Sequence, residues 1–417
     1  MRAKWWKSLM AIGATAGLVL ALVGPPVRST RADSSATDIA VSHLEAGTLA
    51  DGESELAKIV AAHPEDQDAL LGLGVMRTML ALEHLSQGLY RYGLTPPEAF
   101  MAPVIRLPVP ENPNPESITY QDFRGLLLAF YDDLSSAEAT LAKVQSSDVA
   151  MVLDLKQVRY DANGDGASGD DERLMAVVQH LSGLNASEMP ASLTFEFDIG
   201  DVYWLRGYEH ILMAIDDFFL AHDWQQSFDA SFFHFFPAMH SPLRDALPPA
   251  GDLENDQYGP IADLVSFVHI PWPVTEPERM AEVRAHLEQT IAMSRQSWQA
   301  IAAETDDDRE WIPSATQTSP FASLQVTPER IAAWYKALDE AEAILDGDKL
   351  VPHWRFEQGV NLRRFFDEPQ TFDLVLLTTG PGVLPYLEDG PKTSADDWNQ
   401  VLAAFGNSFG LFALWVN

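Results

Sequence analysis

The 417-residue chain contains no cysteine. Disulfides, thiolate metal sites, c-type haem attachment, cysteine nucleophiles and lipidated N-terminal cysteines are therefore excluded. Positive charge is scarce: 27 Lys and Arg stand against 61 Asp and Glu, a formal net charge of −34. Five of the basic residues (Arg2, Lys4, Lys7, Arg28 and Arg31) fall in the first 32 positions, which hold no acid. The remaining 385 residues carry −39, with only six lysines. Such a field repels nucleic acid and anionic lipid, so neither is expected as a partner. High Asp and Glu with little Lys fits a saline or calcium-rich exterior, where screening weakens self-repulsion. Long hydrophobic runs are also lacking, yet 47% of residues are hydrophobic and 42 are aromatic. That is ample for packed cores and argues against disorder.

The one extended apolar run is Leu9 to Val23, preceded by a basic stretch and followed by Gly24-Pro25-Pro26. Its 15 residues fall short of the roughly twenty a membrane span needs. The layout is that of a secretory signal, residues 1–32, with cleavage expected after Ala32. An uncleaved anchor is the alternative, because Arg28 and Arg31 sit close to the cut. A periplasmic or secreted protein is expected, with no membrane span once the signal is removed.

The rest reads as mainly α, in two or three lobes. Residues 33–95 form a helical region, with one amphipathic helix at Leu49–Ala62 and another from Asp68 to Tyr92. The junction Pro64, Leu70, Leu73 and Gly74 resembles that between tetratricopeptide (TPR) repeats, where small residues let paired helices approach. Gly52 and Ile59 stand where that pattern usually has Ala, and no 34-residue recurrence follows. Residues 96–116 are a Pro-rich linker. Residues 117–236 read as helical, over 117–145, 170–184 and 202–222. Residues 237–275 are a second Pro-rich connection, and 276–417 a C-terminal helical region. There Thr327-Pro328-Glu329 carries an N-cap and first-turn proline. Phe372–Leu377 is too short for periodicity to decide between strand and helix.

The sharpest motif is Asp161-Ala162-Asn163-Gly164-Asp165-Gly166-Ala167-Ser168-Gly169-Asp170-Asp171-Glu172. These twelve residues resemble an EF-hand calcium loop. Calcium takes six to eight hard oxygens. Alternate residues of a tight loop supply them: Asp161, Asn163 and Asp165 by side chain, Ala167 by its carbonyl, and Glu172 through both carboxylate oxygens. Gly166 permits the positive φ of the sharp turn. The loop departs from the family pattern in three ways. Ser168 replaces the apolar residue that pairs two hands, Gln157 stands where an apolar residue usually precedes the loop, and no second full loop exists. A single loop argues for a structural Ca²⁺ over a calmodulin-like sensor.

Within the apolar helix Asp201–Asp223, helical spacing puts Arg206, His210 and Asp217 on one stripe, with Glu209 beside it. Arg77, Glu83 and His84 lie in the earlier long helix. These groups form either a buried, satisfied network or a polar ligand pocket. The eight aromatics between Phe218 and Phe236 are expected in a core, with an aromatic-lined pocket as the alternative. Gly406-Asn407-Ser408-Phe409-Gly410 matches a hydrolase elbow, but no acid or His follows the Ser. No catalytic residue is assigned. The expectation is an exported, calcium-stabilised helical protein that binds or scaffolds a protein or small molecule. The alternative is a periplasmic enzyme with a site around Arg206, Glu209, His210 and Asp217.

Overall fold

The computed structural model describes residues 35–95, 109–170, 172–177, 193–246, 259–307, 309–319, 325–406 and 408–416. Residues 1–32, read as an export signal, and most of the stretch 96–116, much of 170–184 and part of 237–275 lie outside them. Among the described residues, no helix is long and apolar enough to cross a membrane.

The chain is mainly helical, and several of its helices start at a side-chain cap. Ser35 and Asp38 form a capping box for α1 (Ala36–Ala46), which closes on Gly47 at φ 69°. After α2 (Leu49–Ala62), Asp66 caps α3 (Gln67–Arg91) by accepting the Ala69 amide at 3.0 Å. Thr119 and Asp122 box the start of α4 (Tyr120–Leu141). Asp198 and Asp201 do the same for α5 (Ile199–Leu220). The 3-10 turn Phe232–His234 and the short α6 (Gln225–Ser231) and α7 (Pro242–Ala246) follow. α8 spans Gly259–His269, inside the stretch read as a Pro-rich connection. The long α9 is Pro277–Ile301. α10 (Pro328–Leu345) begins as its sequence predicts, with the Thr327 hydroxyl accepting the Arg330 amide at 3.3 Å.

The α5–α9 interface is the most extensive between helices. α4 packs against both α3 and α5, and α1 and α2 cover α3. One apolar core runs from Leu44, Leu56, Leu70 and Met76 through Leu141, Trp204 and Trp298 to Trp334 and Phe412. A second core is aromatic. Trp224 meets Tyr120 and Phe123 edge-on at 5.1 and 5.7 Å, with Phe228, Phe232, Phe236 and Trp272 around them. The aromatic run therefore packs as core, although His234 within it is exposed.

Small residues set the helix approaches. A Cβ on Gly72 would lie 3.0 Å from that of Ala40 on α1, and one on Gly74 only 2.3 Å from Leu141 Cδ2 on α4. Gly74 thus admits α4.

Strands interrupt two regions read as helical. β1 (Met151–Asp154) pairs antiparallel with β2 (Thr194–Phe197), Met151 opposite Phe197. Met151 and Leu153 point into the core and Val152 outward. Four residues are too few to show that alternation against a helical background. Further on, β3 (Val351–Pro352), β4 (Gly359–Val360) and β5 (Leu387–Glu388) make a small antiparallel sheet. The undecided segment divides: Phe372 exchanges backbone hydrogen bonds with Trp272 at 2.7 and 2.9 Å, and Asp373 then caps the short helix Leu374–Thr379. In chain order the remaining helices are α11 (Leu362–Asp367), α12 (Leu374–Thr379), α13 (Ala395–Phe405) and α14 (Phe409–Val416).

Candidate functional site

The 161–172 loop hangs from β1 and is pinched at its neck. Tyr160 donates its amide to the Glu172 carbonyl at 3.1 Å, and Leu174 donates to Val158 at 3.0 Å. It is therefore entered from a strand and a turn, not from a helix. Inside it, Asp161 gathers the turn: Oδ1 accepts the Gly164 and Asp165 amides at 2.7 and 3.2 Å, and Oδ2 accepts Gly166 at 2.9 Å. Asn163 Oδ1 accepts Asp165 at 2.8 Å, and Asp165 Oδ1 accepts Ala167 at 2.9 Å. Gly164 and Gly166 take φ values of 76° and 85°, where a side chain would be strained. Glu172 is 3% exposed and folds back across the loop, with Oε1 on the Ala162 amide and Oε2 on that of Gly169.

The loop is tied to the helices on two sides. Glu83 of α3 accepts the Asp161 amide at 2.7 Å, and Gln87 donates to the Asp161 carbonyl at 2.8 Å. Burial raises the Glu83 carboxyl, and nearby Asp161 and Glu172 add to that, while the Asp161 amide opposes it. On the other side Arg159 donates its amide to Leu44, and the Ser168 hydroxyl lies 3.3 Å from the Gly47 carbonyl. The oxygen donors match what a hard cation selects. Among the described residues, however, no three His, Asp or Glu side chains are grouped so as to hold a metal ion. The loop carboxylates are turned onto their own backbone.

The stripe on α5 divides by direction. Glu209, fully buried, points to α3, where its Oε1 accepts the Thr78 hydroxyl at 2.7 Å. Burial pushes its pKa well above the usual carboxylate value, against the hydrogen bond from Thr78. Asp216 is likewise buried and raised. Arg206, His210 and Asp217 face α4 and α9. Arg206 donates twice to Glu138 Oε1, at 2.9 and 2.7 Å. Burial works to raise Glu138, but the facing His210 and Arg206 outweigh it and hold the carboxyl at about 2. The rings of His210 and His286 meet with Nδ1 atoms 2.9 Å apart. Arg279 donates to Asp217 Oδ1 at 2.6 Å. The expected partners on α3 are engaged elsewhere: Arg77 with Glu53 and Thr140, His84 with Asp133. Glu138, Tyr131, His286 and Arg279 were not singled out from sequence. Each is one polar residue on an ordinary amphipathic helix, and only packing brings them together.

A cleft of about 660 Å³ was also missed. It lies beside the start of α5 and the end of α9, and Asp148, Asp198, Tyr203, Glu304, Asp306 and Glu310 line it. Burial and neighbouring Asp198 raise the Glu304 carboxyl to about 7, against a hydrogen bond from Gln317. The acids scattered over four segments gave no spacing to read. Ser408 of the elbow-like pentapeptide donates to the Phe405 carbonyl at 2.7 Å. No family model, curated protein or solved structure matches this chain.

Proposed function

We propose that this is an exported calcium-binding helical protein in which the ion is structural, and that the protein binds or scaffolds. Asp161, Asn163, Asp165, the Ala167 carbonyl and Glu172 would hold the ion. Calcium would supply charge neutralisation and a cross-link between the two ends of the loop. The carrying observation is Glu172, which is buried and folded across the loop with both oxygens on loop amides. A carboxylate has about four lone-pair sites, so each oxygen retains capacity for a cation. Because Glu83 and Arg159 tie the loop to α3 and α1, an ion there would brace that end of the bundle.

The test is thermal and calorimetric. Calcium at a hundred times its Kd should stabilise the folded chain by about 2.7 kcal/mol. EDTA should remove that gain, and Asp161→Ala and Glu172→Gln should lack it. Absence of any calcium-dependent heat or shift in the wild type would end this reading.

A further inference from the structure

We propose that Glu138, His210, His286 and Asp217 form a buried proton relay across the α4–α5–α9 interface, in which the two imidazoles share one proton and admit a second between them only when α9 parts from α5. The geometry is a line of four groups. Glu138 Oε1 lies 3.6 Å from His210 Nε2, the two Nδ1 atoms are 2.9 Å apart, and His286 Nε2 lies 3.6 Å from Asp217 Oδ2. The two outer separations are ion-pair distances, and the central one is a hydrogen bond. The side chains of His210 and His286 are 9% and 12% exposed, and that of Asp217 is 1% exposed. Asp217 Oδ2 has no hydrogen-bond partner although it is buried, so it is free to accept a proton.

Two imidazoles joined Nδ1 to Nδ1 place one proton between them. One ring donates and the other must present its lone pair. This fixes two arrangements with equal proton count. In the first, with both His210 nitrogens protonated, Nε2–H would face Glu138 and Nδ1–H would donate to His286, whose Nε2–H faces ionised Asp217. In the second, the His286 Nε2 proton has passed to Asp217 Oδ2, and the His210 Nδ1 proton has passed to His286 Nδ1. No proton is gained or lost. The positive charge on His210 and the negative charge on Asp217 disappear together.

The surroundings hold both ends. On α4, Tyr131 places its hydroxyl 3.3 Å from His286 Nε2, and burial pushes that phenol up to about 12, so it stays protonated. Arg206 neutralises Glu138, and Arg279 with Glu276 and Glu282 surrounds Asp217. Of the other α5 acids, Glu209 is turned to α3 and Asp216 is buried beside Asp217. Burial and His210 lower His286 to about 4, and burial raises Asp217 to about 6 against the pull of Arg279. On acidification from pH 6, Asp217 therefore takes up a proton first. A further proton would set two N–H groups against each other 2.9 Å apart, and relief requires separation of the rings.

The test is NMR on the full chain. A single exchange-protected imidazole proton is expected, coupled to both His210 and His286. His286 should remain neutral down to about pH 4. His210→Gln should abolish the shared proton and move the His286 titration upward. Below pH 4, amide protection of α5 and α9 should fall before that of α2. Two histidines that titrate independently in the wild type, with no shared proton, would overturn the relay. Unchanged α5 and α9 protection across pH 4 would overturn the opening step. Both wild-type readouts stand even if the variant does not fold.

Discussion

Two glycines in helix interiors should respond oppositely to the same substitution. Gly74 of α3 and Gly125 of α4 each gain about 1 kcal/mol of helix propensity on change to Ala. At Gly125, which is exposed, the new methyl meets nothing within 4 Å, so Gly125→Ala should stabilise by about that amount. At Gly74 the methyl would fall 2.3 Å from Leu141 Cδ2 and 2.4 Å from its Cγ. Two atoms of one side chain, Cγ included, must move, and Leu141 is fully buried. Overpacking of this kind costs about 1–3 kcal/mol. The net effect of Gly74→Ala is destabilisation by about 1 kcal/mol, a spread of roughly 2 kcal/mol between the two variants. Urea unfolding resolves this through the shift in midpoint at constant slope. In a Leu141→Ala background the clash partner is gone, so Gly74→Ala should turn stabilising, a coupling of about 1–2 kcal/mol. Equal stabilisation by both glycine variants would refute the close approach of α3 and α4.

Three further outcomes follow from buried charge and from the loop. Arg279→Met leaves Asp217 buried without its cation and should cost about 3 kcal/mol at pH 8. The cost should shrink toward pH 5, because the aspartate neutralises itself by taking up a proton; urea midpoints at the two pH values test this. Glu304, raised to about 7, binds its proton more tightly folded than unfolded, so its contribution is present below pH 4.5 and lost as pH rises through 7. Glu304→Gln should therefore gain about 1 kcal/mol at pH 8, discounted for partial exposure, and little at pH 4. The calcium-dependent shift proposed for Asp161 and Glu172 should also slow exchange at the Asp161 amide, which Glu83 holds.

How far the sequence was legible depends on the range of the interactions. Caps act within four residues, so Thr327 starts α10 where the sequence places it; α2 keeps its expected bounds without a side-chain N-cap, and α3 begins at Gln67 on Asp66, one residue before the expected Asp68. The twelve-residue motif likewise closes as a loop because its acceptors and donors are its own neighbours. β1 escaped because its partner lies about forty residues away, and pairing supplies the signal that four residues cannot. The network on α5 was half visible. Arg206, His210 and Asp217 share a stripe by periodicity, but Glu209, one residue from His210, turns to another helix. The residues that complete it, Glu138 and His286, come from α4 and α9 and have no spacing in common with the stripe.

The scarcity of positive charge is resolved by where the arginines sit. Beyond residue 32 there are sixteen, against six lysines. Arg124 donates to the Leu220 and His222 carbonyls at the end of α5 and to Glu276, joining three segments with one planar fork. Arg206 grips Glu138 from α5, Arg279 grips Asp217 and Glu276 from α9, and Arg295 joins α9 to Asp339 and Glu342 of α10. Guanidinium suits this work because it is weakly hydrated and presents several donors in fixed directions, whereas ammonium is a strongly hydrated point charge. The net negative charge is set by composition; the architecture decides placement, with Arg206 and Arg279 on the largely buried Glu138 and the buried Asp217, where an unpaired charge would be costly, and Arg295 on the exposed Asp339.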